Sequence, residues 1–404
     1  MLQCPVWTTP QPRLYCSNDT DRNSYRILLT AVKIRLNVTN NFIYYFVRNM
    51  ELLYLCSEIF DLMKKGRYIS IQTIEENSTS YAIFKARSDM DKVIASCGYT
   101  PIVLGSRSRI GLFRVLKRYY DIFSLRLKIK RRDVVFFQFP WIHSNKDAFY
   151  NNLFRTGARI QCVIHDIDSL RSDDNAKKLT ELNALKNCEL IIAHTPAMKH
   201  YLAEHGINEE RIRQLNIFCY LTTDPIHHID NLSDAAVIFA GNIRKSPFVN
   251  HLQRIAGPRL RFNVYGNGAE EFKESDGVEY KGCFSPEHPG VIEGNWGLVW
   301  DGGRLDTCDG MYGKYLRYNS SHKAALYLSL GIPVILWSQS ALKDYVLDNN
   351  LGIVVDSLEE LANTLENLPE EKKQSILKSV KDFADVLRNG DTIRPIVISN
   401  IQTI

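Results

Sequence analysis

Beginning at Arg67, short apolar runs alternate with stretches of helical period. The strand-like run YISIQTI leads into polar EENSTS and then into AIFKARSDMDKVIASCG, a predicted helix closed by Gly98. TPIVLG, DVVFFQFP, RIQCVIHD and ELIIAHT predict further strands. Helices are expected between and after them at RVLKRYYDIFSLRLK, DAFYNNLFRTG, AKKLTELNALKN and PAMKHYLAEHG. Such alternation builds βαβ units and a parallel sheet covered on both faces. The polar stretch LTTDPIHHIDNLSDA interrupts it and reads as an interdomain linker. The pattern then restarts with strands AAVIFAGN, LRFNVYGNG, VEYKGCF, WGLVWDGG, IPVILW and GIVVD, and helices near KAALYLSLG, ALKDYVLDN and LEELANTLEN.

The predicted fold class is therefore α/β, with two tandem Rossmann-like doubly wound domains and a cleft between them. Residues 63–228 are expected to form the first domain, 229–380 the second, and 381–404 a helical tail. Residues 1–62 lack the alternation. Met63, which opens MKKGRYISIQTI, looks like a natural start, so the preceding segment is expected to lie outside the core.

Composition adds boundaries to this picture. A net charge of +5 over 404 residues is too mild to argue for nucleic acid, yet it suits a site that holds a diphosphate. The nine cysteines are scattered without a CxxC pair, as expected of free thiols in a reducing cytoplasm. The longest apolar stretch, Asn41 to Phe60, is broken by Arg48, Asn49 and Glu51, so no membrane span is expected. The basic, aromatic helix between Arg107 and Arg132 suggests contact with a membrane surface, with Leu112, Phe113 and Phe123 entering the lipid. Packing on the sheet is its plainer reading, and self-association into a homo-oligomer is left open.

In open parallel sheets ligands bind beyond the carboxyl ends of the strands, so strand ends supply the candidates. AVIFAGNIRKS delivers Gly241, Asn242, Arg244 and Lys245, a backbone turn and two cations suited to phosphate oxygens, or else an ordinary turn. LRFNVYGNG carries Tyr265 into Gly266-Asn267-Gly268, a second candidate turn or an ordinary one. WGLVWDGG delivers Asp301, and the loop after it reaches Asn319, Ser320 and Ser321, which would cap a helix carrying Lys323 in its first turn. A lysine is poorly placed against that dipole, and a bound anion would account for it. In the first domain, His165, Asp166 and Asp168 follow RIQCVI. A histidine whose tautomer a neighbouring carboxylate holds can act as a base. The two aspartates could instead bind a metal, or form an N-cap and an ion pair with Arg171. Trp141 and His143 leave another strand end, where a flat ring would stack on a sugar, or else Trp141 belongs to an interdomain core. Asn77 and Ser78, after the first strand, are further candidate contacts.

At these residues the chain resembles bacterial sugar transferases of the GT-B fold. The Asp301–Pro333 segment, HDIDSLR and FAGN-x-x-KS are similar to O-antigen β-1,6-galactofuranosyltransferases and to streptococcal glucosyltransferases that extend N-acetylglucosamine on serine-rich-repeat adhesins. The likeness spans roughly Met63 to Ile404. It implies a UDP-sugar donor on the second domain and a glycan, glycolipid or glycoprotein acceptor on the first. Gly241, Arg244, Lys245, Ser320 and Lys323 would bind the diphosphate, with Tyr265 and Gly266 near the uracil or ribose. Asn77, Asn242, Asp301, Asn319 and Ser321 complete the expected donor side, and Trp141, His143 and Asp168 the acceptor side. It further implies that no metal or other cofactor is needed. Should the transfer invert, His165 or Asp166 would be its base. The glutamate common in the last donor helix of wider GT-B enzymes is absent from KAALYLSLG. Two alternatives are a nucleotide-sugar epimerase or dehydrogenase, for which the first strand lacks GxGxxG, and a catalytically inactive glycan-binding subunit.

Overall fold

The computed structural model describes residues 66–72, 82–105, 111–143, 145–172, 174–270 and 272–401. The expectations for residues 1–62, and for Asn77 and Ser78, fall outside these.

The first half contains six parallel strands: β1 (Arg67–Gln72), β2 (Thr100–Gly105), β3 (Val134–Phe139), β4 (Arg159–Ile164), β5 (Leu190–Ala193) and β6 (Ile212–Gln214). Helices α1 (Ala82–Ser96), α2 (Gly111–Lys128), α3 (Lys146–Phe154), α4 (Asn175–Lys186) and α5 (Pro196–Glu204) connect or follow them. The sheet order is β2-β1-β3-β4-β5-β6. β3 shows why the strands read as continuous apolar runs, since all six of its residues are buried. Val134 and Phe136 enter the core on one face of the sheet, while Val135, Phe137 and Phe139 enter the core on the other.

The second half has β7 (Ala235–Ala240), β8 (Leu260–Tyr265), β9 (Val278–Tyr280), β10 (Trp296–Val299), β11 (Val334–Trp337) and β12 (Gly352–Val355), also parallel. Its helices are α6 (Gly310–Tyr315), α7 (His322–Ser329), α8 (Lys343–Asp348), α9 (Leu361–Glu366), α10 (Glu370–Arg388) and α11 (Arg394–Ile401). The order β12-β11-β10-β7-β8-β9 places the topological switch between β10 and β7. Gly241 and Asp301, which follow those two strands closely, are thereby neighbours.

The last residues differ from a simple tail. A boundary at 380/381 falls inside α10, because the buried series Ile376, Val380, Ala384 and Leu387 runs through it without a break. The chain then returns to the first half. Tyr220 N–H donates to Leu387 O at 3.1 Å, and Arg394 Nη1 donates to Ser96 Oγ at 2.6 Å. The core of the second sheet is continuous with one face of the first through Leu215, Ile217, Phe218 and Tyr220.

Candidate active site

The register of the second sheet builds the donor side. Ala240 pairs with Tyr265, so the turns that follow these residues lie together. Gly266 has φ +129°, and a Cβ there would overlap Gly241 O. A Cβ on Gly241 would lie 2.9 Å from Lys323 Cε and from the Phe239 ring. Both turns therefore have to be bare backbone. Ala240 N–H donates to Tyr327 Oη at 2.7 Å, which ties α7 to the end of β7 and sets Lys323 over Gly241. Lys323 Nζ lies 2.9 and 2.8 Å from the two carboxylate oxygens of Asp301. Ser246 Oγ donates to Asp301 Oδ1 at 2.8 Å. The Asp301 carboxylate thus lies beside the lysine in the first turn of α7. Ser321 occupies the N-cap of α7, yet its side chain makes no cap bond, so the first-turn amides keep no side-chain acceptor there. Lys245 stands 5.0 Å from the centroid of Tyr312, and exposed Arg244 pairs with Glu270 at 2.9 Å.

The first half supplies the opposite wall from the ends of β3, β4 and β5. His165 is buried, and its Nε2 lies 2.6 Å from Gln138 Oε1. Burial, with Arg87, His194 and His322 nearby, pushes its imidazole well below the usual histidine range. Asp166 is ion-paired with Arg171, which also lies 4.5 Å from the Tyr315 ring centroid of the second half. Burial raises the Asp166 carboxyl to about 6, against the opposing pull of Arg171. Asp168 meets Lys146 at 3.0 Å. Each aspartate thus has its own cation, and among the described residues no group of three His, Cys, Asp or Glu is gathered as a metal would need.

Direct bonds join the two halves. Ile167 N–H donates to Tyr315 Oη at 3.0 Å, and Thr195 Oγ1 donates to Tyr318 O at 2.6 Å. Ser320 N–H donates to His194 Nδ1 at 3.1 Å, while His194 Nε2 lies 2.7 Å from Ile164 O. Phe218 stands between three histidines, with ring centroids at 5.3 Å to His165, 4.9 Å to His194 and 6.1 Å to His322. Buried polar atoms without a partner concentrate along the same seam: Asn319 Oδ1, Ser320 Oγ, His322 Nε2, Arg171 Nε and Arg87 Nε. Leaving such atoms unpaired is costly, and a polar ligand in the cleft would relieve it.

The N-terminal-domain description of the glucosyltransferase 3-like family matches residues 68–217, and its C-terminal-domain description matches residues 237–399. The chain belongs to that family. It is similar to the β-1,6-galactofuranosyltransferase WbbI of Escherichia coli, at 30% identity over 284 residues, 68% of this chain and 82% of that protein. Glucosyltransferase 3 of Streptococcus gordonii is 28% identical over 305 residues, covering 71% of this chain and 88% of that one. Among solved structures, the fold is that of sucrose-phosphate synthase from Thermosynechococcus elongatus, with TM-score 0.57, 11% identity, 84% of this chain and 98% of the other. The Anabaena HepE protein in complex with UDP-glucose gives TM-score 0.53 at 12% identity, covering 84% of this chain and 100% of that one. This member of the glucosyltransferase 3-like family is a glycosyltransferase with the GT-B fold.

Within this glucosyltransferase 3-like chain, Gly241, Asn242, Gly266, Asp301, Ser321 and Lys323 come together around the switch point. Asn242 accepts from Lys245 N–H at 3.3 Å and shapes the turn. Two expectations are corrected. Trp141 is 1% exposed and stacks on Phe149 at 4.0 Å, so the indole is a core side chain and offers no face to a sugar. His143, half-buried, sits edge-on to it. Tyr265 directly precedes the Gly266 turn, with its ring buried against Phe284 and its hydroxyl accepting from Glu293 N–H. His165 is held by Gln138 and not by Asp166, whose carboxylate Arg171 takes. His194 was missed, although it ends ELIIAH just as His165 ends its own strand. Gln138 and Arg87 carried no local signal, because one lies within an apolar strand and the other within a helix. Arg87 donates to Gln138 O at 3.1 Å and to Pro140 O at 2.7 Å.

Proposed function

We propose that the chain moves a hexose (galactofuranose, glucose or galactose) from a UDP-sugar to a hydroxyl of a glycan, glycolipid or glycoprotein acceptor during surface polysaccharide or glycoprotein assembly. The observation that supports it best is the Asp301–Lys323 pair above the bare Gly241 turn, facing the strand ends that carry His165 and Asp166. The acceptor oxygen bonds to the anomeric carbon as the bond to the diphosphate breaks. Asp166 takes the hydroxyl proton, since a carboxylate near 6 is deprotonated yet basic at neutral pH. His165 stays neutral beside it. Charge building on the leaving diphosphate is offset by Lys323, Lys245, Arg244 and the free amides of α7. No step calls on a metal. The nucleoside is left to residues around the Gly266 turn, with Tyr265 contributing backbone only.

The reading places the enzyme in the cytoplasm. The described cysteines, Cys97, Cys162, Cys188, Cys219, Cys283 and Cys308, are all unbridged, and among the described residues no helix is long and apolar enough to cross a membrane. Calorimetric titration with UDP, GDP and NAD tests the donor assignment. UDP-selective binding that Lys323→Ala weakens by about ten-fold or more is the expected result. Binding of NAD alone, or of no nucleotide, overturns it.

A further inference from the structure

Helix α2 carries most of its apolar residues on the side away from the sheet. Its inward face buries Asp121, Ile122, Ser124 and Leu125. Asp121 is fully buried there, accepting from Gly105 N–H at 2.9 Å and from Lys117 at 2.5 and 2.6 Å. Packing against the protein is therefore satisfied by polar bonds and two aliphatic anchors. The outward face holds Leu112, Phe113, Leu116, Tyr120, Phe123 and Leu127, between 53% and 88% exposed. Their spacing follows the helical repeat, so they form one stripe about 22 Å long. Isolated exposed apolar residues are ordinary, but a contiguous stripe of this kind marks a docking surface.

Charge identifies what docks. At the C-terminal end of the stripe, Arg126, Lys130, Arg131 and Arg132 are exposed. None of the four has an acidic partner among the described residues. Cations rimming an apolar stripe are complementary to anionic headgroups above acyl chains. They are not complementary to themselves, as a second copy of the chain would require. We propose that α2 is an interfacial helix that seats this protein on an anionic lipid bilayer, with Leu116, Phe123 and Leu127 in the acyl boundary and the four cations at the headgroups. This inference stands apart from the transfer chemistry, because none of these residues belongs to the cleft.

Co-sedimentation of the full chain with vesicles tests it. Phosphatidylcholine containing phosphatidylglycerol is compared with phosphatidylcholine alone. The wild type is expected to bind the anionic vesicles and to lose binding as salt rises. The double variant Leu116→Glu/Leu127→Glu and the triple variant Arg126→Glu/Arg131→Glu/Arg132→Glu should each weaken binding by about ten-fold or more, with an unchanged melting temperature because the residues are exposed. Absence of wild-type binding to anionic vesicles, or binding untouched by both variants, overturns the proposal. So does a dimer in sedimentation velocity that Leu116→Glu/Leu127→Glu dissolves, since the stripe would then be a protein interface.

Discussion

His165 Nε2 and Gln138 Oε1 are 2.6 Å apart, and this pair decides which nitrogen of the imidazole carries the proton. The amide nitrogen of Gln138 is already committed, donating to Arg87 O at 3.0 Å and to Asp91 Oδ1 at 2.5 Å. Its oxygen must therefore face His165, which makes Nε2 the donor and leaves the lone pair on Nδ1. Gln138→Glu would set a carboxylate beside Nε2 and favour the charged imidazolium. Activity at neutral pH should fall about ten-fold or more, with the acid limb of the pH–rate profile moved upward. An unshifted profile would assign Gln138 a packing role alone.

Asp166→Asn removes the proton acceptor while keeping shape. Its kcat should drop by roughly 100-fold or more, with little change in KM for either substrate. In the wild type the ionised form is the active one, so the rate should rise with pH through about 6 and level off above it. That inflection is expected to be missing from the variant.

The Asp301–Lys323 pair is partly buried, at 15% and 16% side-chain exposure. Lys323→Ala should weaken UDP binding by about ten-fold or more, the loss of a charge-assisted contact. It also leaves Asp301 without its cation, so the melting temperature should fall as well. Asp301→Asn keeps the lysine but frees it from its anchor. Isothermal calorimetry should then show weaker binding than wild type and stronger binding than Lys323→Ala. Equal affinities in all three proteins would remove Lys323 from the donor site.

Gly266→Ala tests the bare-backbone requirement. The added methyl would overlap Gly241 O at a φ of +129°, and the turn has to open. A stability loss on the order of 2–4 kcal/mol, accompanied by lost UDP binding, is expected in denaturant titration. A variant as stable as wild type would show that the two turns are free to separate.

The buried histidines predict the acid response. Burial lowers His194 to about 4 and His322 to about 3, and His165 moves the same way. In each case the unfolded chain binds the proton more readily, so stability is full above about 6.5 and declines as pH falls toward the folded values. Asp166, raised to about 6, acts in the opposite sense, because its contribution is present at low pH and lost as pH rises through 6. The histidines outnumber it. Unfolding free energy should drop by at least about 2 kcal/mol between pH 7 and 5. His194→Asn should make that drop about 2 kcal/mol smaller, and an unchanged drop would remove His194 as its source.

The strand ends were legible in the chain because a parallel strand buried on both faces has to be an unbroken apolar run, as VVFFQF, RIQCVI and LIIA are. Where such a run stops, the polar residues that follow emerge on one edge of the sheet. That rule located His165, Asp166, Gly241 and Asp301 without any coordinates. It failed at Trp141, since an aromatic just past a strand end is free to turn back onto a helix, and Phe149 draws it there. Lys323 lies outside that rule, in the first turn of a helix, and its carboxylate neighbour Asp301 is a contact that only tertiary structure supplies.

Sequence by itself determined the two doubly wound halves, because strand and helix periods are written in local apolar spacing. It likewise determined that the apolar residues of α2 follow the helical period, while the structure decided that this stripe faces outward. Only the tertiary structure decided the partners: Gln138 for His165, Ser320 for His194, and α10 and α11 folding back to the first half. Those pairings join residues distant along the chain, and sheet order and register bring them together. No local pattern encodes a contact whose two members are joined by folding alone.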